Sequence, residues 1–348
     1  MEQRQLGRTD LKVSKICLGS MTWGEQNTES EAFAQIDAAL DAGVNFVDTA
    51  EMYAVPATAK TYGTTETILG NWFRARPGAR HKLVLASKVC GRDASDWLAH
   101  VRGGPRLNRA QIGEAIEGSL RRLQTDYLDL YQLHWPERST NYFGKLGYKQ
   151  REETDVTPME ETLSTLADLV KAGKVRHVGL SNETPWGAMR ALALSQQHCW
   201  PRPVSIQNPY SLLNRSFEVG LAEVSHREQL GLLAYSPLAF GTLSGKYLNG
   251  AEPEGARITR WKRFGRYTNP EAQKATAAYV ALARQHGWSP VELALGFVSE
   301  QPFVTSVIIG ATSLTQLREN LAACGRALTP ELRAGVEAIH VSQPNPAP

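Results

Sequence analysis

Cysteine is scarce in this chain: four residues in 348, at Cys17, Cys90, Cys199 and Cys324. None of them stand in a CxxC or other metal-type spacing, and Cys17 and Cys90 fall in or just after apolar runs. Buried or rim thiols are therefore expected, and a disulfide framework or a metal site is not. Long apolar runs are missing as well. Nothing approaches the ~20 residues of a membrane span, and the opening Met1-Glu2-Gln3-Arg4-Gln5 lacks the apolar stretch of a secretory leader. Charge of one sign is not concentrated, since 38 Lys and Arg face 35 Asp and Glu for a net +3, dispersed along the chain. That balance gives no electrostatic reason to expect nucleic acid or a membrane as partner. No GxGxxG motif follows an apolar run, which disfavours an open dinucleotide-binding sheet. With no linker, repeat or low-complexity segment, the expectation is one reduced, cytoplasmic domain.

What is present is an alternation of strand and helix patterns, the mark of βα units and a parallel sheet. Strands are expected at Lys15-Leu18, Asn45-Asp48, Leu83-Lys88, Tyr127-His134, Val175-Ser181, Val204-Gln207, Gly231-Tyr235 and Ser306-Ile309. Between them, apolar residues recur at three- and four-residue intervals in Glu29-Ala42, Thr65-Arg74, Arg109-Leu123, Glu160-Lys171, Pro185-Ser195 and Phe217-Glu228. Gly43 and Gly173 follow helix ends, where a left-handed cap is needed. Eight strands in this order point to α/β architecture: a single (β/α)8 TIM barrel with an N-terminal β-hairpin and extra C-terminal helices, Ser289-Glu300 among them. The domain is expected over residues 1–341. The proline-bearing tail, Ser342-Pro348, is expected to be disordered.

Three strand-to-helix connections are long: Val89-Asn108, Pro136-Met159 and Ser236-Pro270. Barrel enzymes build their sites from such loops, at the carboxyl ends of the strands. Polar, ionisable residues close successive strands there. Asp48 ends Phe46-Val47-Asp48, Tyr53 follows five residues on, Lys88 ends Leu83-Lys88 and His134 ends Leu128-His134. Singly, each has an ordinary use: a turn aspartate, a rim aromatic, a solvated lysine, a packed histidine. Together they form a chemical set. A phenol titrates near pH ~10; an ammonium beside it favours the phenolate, and a carboxylate holds the ammonium. Such a set protonates a carbonyl oxygen during reduction. A hydrolase with paired carboxylates needs two acids at the strand ends, and this rim offers Asp48 with a lysine and a histidine instead.

The segments Asn45-Phe46-Val47-Asp48-Thr49-Ala50-Glu51-Met52-Tyr53, Ala86-Ser87-Lys88, Asp126-Tyr127-Leu128-Asp129-Leu130-Tyr131-Gln132-Leu133-His134-Trp135 and Gly179-Leu180-Ser181-Asn182 resemble the aldo-keto reductase superfamily. The resemblance runs from about Leu6 to about Leu328. Gln207-Asn208-Pro209-Tyr210-Ser211-Leu212-Leu213-Asn214-Arg215 is similar to the bacterial Tas-type branch, near the potassium-channel β-subunit group. The resemblance implies NADP(H) as cofactor and a small-molecule carbonyl as substrate, and a homo-oligomer is compatible with it. By the same resemblance, Tyr53 is the proton donor, Lys88 and Asp48 tune it, and His134 orients the substrate oxygen.

Ser181, Asn182 and Gln207 are implied at the nicotinamide carboxamide, with Tyr235 stacked on the ring. The loop bearing Ser236, Pro237, Leu238, Gly241, Leu243, Gly245 and Lys246 is implied at the pyrophosphate, where small residues admit backbone amides and Lys246 adds charge. Gly310, Thr312, Gln316, Glu319 and Asn320 are implied at the adenosine end, at a helix N-terminus. Here the sequence departs from the aldose-reductase pattern: Gly310-Ala311 and Gln316 replace its Lys-Ser pair and arginine, and Arg318 is the nearest cation. The Gly-Ala-Thr form is usual in channel-β-like members, many of which use NADPH. Trp23, Met52 and Trp135 are expected to wall an apolar pocket. Tyr142, Phe143 and Trp261 serve equally well as loop-packing aromatics. Glu51 has no partner that the sequence identifies. Channel β-subunits keep the same four residues yet act chiefly by binding, so a nucleotide-binding, redox-sensing subunit is the alternative.

Overall fold

Short aliphatic runs become strands here because each is buried on both faces, as a parallel sheet wrapped in helices requires. The computed structural model describes residues 1–92 and 97–348, so part of the Val89-Asn108 connection, residues 93–96, lies outside the described residues. A hairpin of β1 (Gln3–Gln5) and β2 (Lys12–Ser14) opens the chain. Eight parallel strands follow: β3 (Ile16–Gly19), β4 (Phe46–Asp48), β5 (Val84–Val89), β6 (Leu128–Leu133), β7 (Val175–Ser181), β8 (Ser205–Pro209), β9 (Gly231–Tyr235) and β10 (Val304–Ile309). They close in the order β10-β3-β4-β5-β6-β7-β8-β9, a (β/α)8 barrel.

The helices are α1 (Glu29–Asp41), α2 (Thr64–Ala75), α3 (Arg109–Leu123), α4 (Met159–Lys171), α5 (Pro185–His198), α6 (Leu221–Glu228), α7 (Arg257–Arg260), α8 (Pro270–Gln285), α9 (Pro290–Glu300), α10 (Leu314–Ala323) and α11 (Pro330–Ser342). Their starts are written in the sequence. Thr28 with Glu31 and Ser289 with Glu292 form capping boxes, while Asn108, Thr184, Asn269, Ser313 and Thr329 accept a first-turn N–H. Gly43 and Gly173 take positive φ (82° and 75°) just past α1 and α4. The segment Phe217-Glu228 is interrupted at Gly220, where a 3-10 turn, Ser216–Val219, gives way to α6. No helix among the described residues is long and apolar enough to cross a membrane.

Strand alternation splits the core in two. Cys17, Phe46, Ala86, Leu130, Leu233 and Ile308 fill the barrel interior, where Leu6 and Val13 of the hairpin region plug the amino end. Ile16, Leu18, Val47, Leu85 and Tyr131 point outward, into the layer under the helices. A third cluster forms at the carboxyl rim from Ala50, Met52, Tyr53, Val55, Cys90, Leu98, Val101 and Trp135.

The tail does not match the expectation of disorder. Ala347 is fully buried in the main core, and its N–H donates to the Leu213 carbonyl (3.1 Å). Asn345 Oδ1 accepts from the Arg215 N–H (2.6 Å), and the Pro346 carbonyl accepts from Asn269 Nδ2 (2.9 Å). One apolar side chain and three paired backbone or amide groups pin a segment whose composition alone reads as loose.

Candidate active site

Side-chain alternation brings the polar strand ends together. Asp48 pairs in register with Ala86 and Lys88 with Gln132, so Asp48, Lys88 and Gln132 face inward at adjacent levels. His134, one residue past β6, continues the inward row of Gln132 and is held by its N–H to the Val89 carbonyl (2.9 Å). Lys88 Nζ, fully buried, donates to Asp48 Oδ2 (2.5 Å), the Thr49 carbonyl (2.8 Å) and the Tyr53 phenol oxygen (3.4 Å). Gln132 Nε2 and Gln207 Nε2 donate to the other carboxylate oxygen, Asp48 Oδ1 (3.1 and 2.8 Å). Asp48 is thus saturated. The Tyr53 and His134 rings meet edge-on, 5.8 Å between centroids.

Outside the barrel wall a second layer braces this strand. Ser87, facing outward, donates to Glu66 Oε1 of α2 (2.5 Å), and Glu66 Oε2 accepts from Arg122 Nε of α3 (2.8 Å). Glu51 is also fully buried and accepts from the two terminal guanidinium nitrogens of Arg102, Nη1 and Nη2.

The electrostatics differ from expectation at one point. Burial pushes the Tyr53 phenol above its ordinary value, and the Lys88 ammonium only partly opposes it. Low-dielectric surroundings penalise the phenolate more than one ammonium, itself shared with Asp48, relieves it. The phenol is therefore kept protonated, as a donor must be. Burial also works against the Lys88 charge, but Asp48 and the phenol outweigh it and hold the ammonium above its ordinary range. Burial, then the Lys88 charge, drive the His134 imidazole well below its ordinary value. His134 is thus neutral near pH 7, offering one donor and one acceptor nitrogen, and its Nδ1 has no hydrogen-bond partner.

The residues implied at the nicotinamide line the next strands. Ser181 Oγ donates to the Gln207 carbonyl (2.8 Å). Asn182, in the left-handed region (φ 52°), donates from Nδ2 to the His134 carbonyl (2.8 Å) and to Ser181 Oγ (3.1 Å). Its Oδ1 accepts from the Tyr235 hydroxyl (2.7 Å). These groups form one chain of bonds around the rim, and Gln207 keeps its amide nitrogen for Asp48 and Gln132.

After β9, Ala239, Phe240 and Gly241 take positive φ in succession (49°, 55° and 89°). Two non-glycine residues in that region store strain of the sort found at ligand loops. The Leu243 side chain is buried in the main core, so only its backbone faces the loop. Gly241 leaves room for Lys246, whose Cε would lie 2.8 Å from an added Cβ. At the other end, Gln316 Oε1 accepts from the Thr312 N–H and hydroxyl (3.1 and 3.0 Å), and Asn320 Nδ2 donates to the Gly310 carbonyl (3.4 Å). Gly310 and Glu319 are exposed beside them.

Of the expected pocket residues, Met52 and Trp135 pack at the rim with Tyr53. Trp23 does not. It is fully buried in the core beside α1 and α2, and its indole N–H donates to Gln35 Oε1 (3.0 Å). A polar partner inside the core let this tryptophan turn away from the mouth. Trp135 stands 4.8 Å from the His134 ring and 5.9 Å from Phe143, which meets Tyr142 at 5.1 Å.

Several residues were missed from sequence. Gln132 was legible, as a polar residue two before His134 on a strand buried on both faces. Arg257 and Arg266 were not. Among the described residues neither they nor Lys246 has a carboxylate partner. Burial lowers Arg257 to about 10, and burial with the Arg257 charge lowers Lys246. Arg266 instead bonds the Tyr267 hydroxyl. Phe264 packs against the rim cluster and meets Phe240 at 5.3 Å.

The Aldo/keto reductase family profile matches residues 15–340. Protein tas of Escherichia coli (strain K12) is 52% identical over 348 residues, covering the whole of both chains. The Bacillus subtilis (strain 168) protein named Uncharacterized oxidoreductase YrpG is 34% identical over 334 residues, 95% of this chain and 94% of its own. The Oryza sativa subsp. japonica protein named Probable voltage-gated potassium channel subunit beta is 30% identical over 351 residues, 99% and 98% of the two chains.

Proposed function

The chain belongs to the aldo/keto reductase family, an oxidoreductase, and from that premise we propose that it reduces aldehydes or ketones to alcohols using NADP(H). The observation that carries this reading is the buried Asp48–Lys88–Tyr53 chain of contacts with a neutral His134 beside it. A bound nicotinamide supplies the hydride. Everything else falls to the protein's own groups. The Tyr53 hydroxyl, kept protonated by burial and accepting from Lys88, turns its proton toward the carbonyl oxygen. Lys88 then stabilises the phenolate that remains, and Asp48, anchored by Gln132 and Gln207, keeps Lys88 in place. His134 orients the oxygen being protonated.

The half-buried cations fit a dinucleotide. Lys246 and Arg257 crowd like charge without a carboxylate, an arrangement that a diphosphate relieves. Gln207 Oε1 and Ser181 are the groups to hold the carboxamide. Asn182 joins them once the Tyr235 hydroxyl gives way, which frees the Tyr235 ring to stack. Met52, Trp135 and Phe264 favour an apolar or aromatic carbonyl substrate.

The test is NADPH and NADH oxidation with aromatic aldehydes, ketones and methylglyoxal, with Tyr53→Phe alongside. Removing a positioned acid typically lowers turnover about 10²–10⁴-fold, so a collapse in the variant with nucleotide binding intact is the expected result. Undiminished turnover in Tyr53→Phe sinks the proposed mechanism. The second reading, a nucleotide-binding redox sensor, is favoured by the similarity to the rice protein named as a channel β subunit. Tight NADPH binding with no turnover on any carbonyl would move the assignment there.

A further inference from the structure

We infer that Glu51 and Arg102 form a positioning clamp that sets the separation between Tyr53 and Lys88. This deepens the reductase reading and rests on it. Glu51 lies two residues before Tyr53, and its side chain is wholly buried, as is all but 4% of the Arg102 side chain. Its carboxylate is saturated. Oε1 accepts from Arg102 Nη2 (3.0 Å) and from the Cys90 N–H (2.7 Å), and Oε2 accepts from Arg102 Nη1 and the Tyr62 hydroxyl (3.3 Å).

The backbone of Glu51 points the same way: its N–H donates to the Lys88 carbonyl (3.2 Å). One residue is therefore stitched to Lys88 by its main chain and to Cys90, two residues further on, by its side chain. The loop carrying Tyr53 and the strand end carrying Lys88 are fastened at the point where the phenol and ammonium stand 3.4 Å apart. Arg102 brings in the far side of the connection after β5, whose Leu98 and Val101 pack with Met52 and Tyr53.

Magnitudes decide between a stabilising and a positioning role. A buried ion pair replaced by well-packed apolar residues is commonly neutral or favourable for stability, because desolvation cancels the Coulombic gain. Stability alone thus gives little reason for a bidentate pair here. Reaction rate is far more sensitive, since a ~1 Å misplacement of a reacting group can lower turnover about 10²-fold.

The experiment compares Glu51→Gln, Arg102→Met, the double variant Glu51→Leu/Arg102→Met and the conservative Arg102→Lys. Each single variant leaves an orphaned partner and loses both thermal stability and kcat. The double variant is decisive. Positioning predicts that it regains stability while kcat stays about 100-fold down, with NADPH Kd and carbonyl KM within about twofold of the parent. Recovery of kcat together with stability overturns the inference. Should the double variant not fold, Arg102→Lys keeps the charge but offers only one donor nitrogen in place of the two-pronged fork; a fall in kcat of about tenfold is expected, and an unchanged kcat overturns it.

Should the parent protein turn over no carbonyl, the reductase reading fails, and the clamp is judged without turnover. Amide hydrogen exchange at Glu51 and Cys90 in the double variant (or Arg102→Lys) then reports it. Faster exchange there than at Gln132 supports the clamp, and unchanged exchange overturns it.

Discussion

Two halves of the carboxyl rim handle charge in opposite ways. From β4 to β7, among the described residues, each buried charge at the rim or just behind it meets its opposite within the protein: Asp48 with Lys88, Glu51 with Arg102, Glu66 with Arg122, Glu137 with Arg106 and Glu183 with Arg138. After β9 the pattern reverses. Lys246, Arg257 and Arg266 have no carboxylate among the described residues; burial lowers Arg257, and burial with the Arg257 charge lowers Lys246. A half that neutralises itself is complete before any ligand arrives, and its geometry is fixed in advance. A half that leaves cations unmatched is completed by whatever anion binds. On the proposed function, proton chemistry would fall to the first and nucleotide capture to the second.

The largest expected effect comes from breaking the self-neutralised half. Lys88→Met leaves the Asp48 carboxylate buried beside two amides only, and loss of one partner of a buried pair costs about 3–5 kcal/mol. Urea unfolding should register that loss, with turnover abolished as well. The opposite sign is expected across the rim. Arg257→Ala removes an uncompensated charge, so the stability of the ligand-free protein should hold or rise. NADPH affinity should nonetheless weaken about ten- to a hundredfold, the size of a charge-assisted hydrogen bond, as calorimetry can measure. A variant that lost stability without losing affinity would erase the contrast.

A third effect is set by pH. The unfolded chain takes up a proton at His134 near its ordinary value, whereas the folded chain refuses it until far lower pH. The unfolded state therefore binds more protons over that window, and stability falls as pH drops below about 6.5, by up to about 1.4 kcal/mol per unit. His177 and His340 are lowered too, so the readout is the slope difference between the parent and His134→Asn. The smallest effect sharpens the comparison from outside it. Arg227 and Glu223 pair on α6 with side chains 71% and 69% exposed, and Arg227→Ala should shift stability by less than about 0.5 kcal/mol.

The barrel was legible because its signals are local. Eight apolar runs, spaced by helical periodicity and ended by capping residues, fix the element order, and inward alternation carries Asp48, Lys88 and His134 to one rim. Partnerships between loops were not legible. Arg102 lies 51 positions from Glu51, and only folding of the connection after β5 brings it near. The lack of a partner is equally invisible, since Glu252 and Glu254 stand close to Arg257 in sequence yet do not pair with it. Trp23 and the tail failed for a related reason. Their burial depends on partners outside the local segment, the Gln35 amide for Trp23 and Leu213, Arg215 and Asn269 for the tail.

The plug at the amino end has a consequence for traffic. Leu6 and Val13 are fully buried there under the β1–β2 hairpin, and the interior above them is packed with aliphatic and aromatic side chains up to Lys88. Packing of that kind separates the amino end from Lys88 and leaves the carboxyl mouth as the approach to Tyr53. In the proposed reaction, the proton that Tyr53 gives up would then be returned from the mouth, by the same doorway through which substrate would come and go. Delivery and resupply share one gate, and a molecule lodged in it stops both.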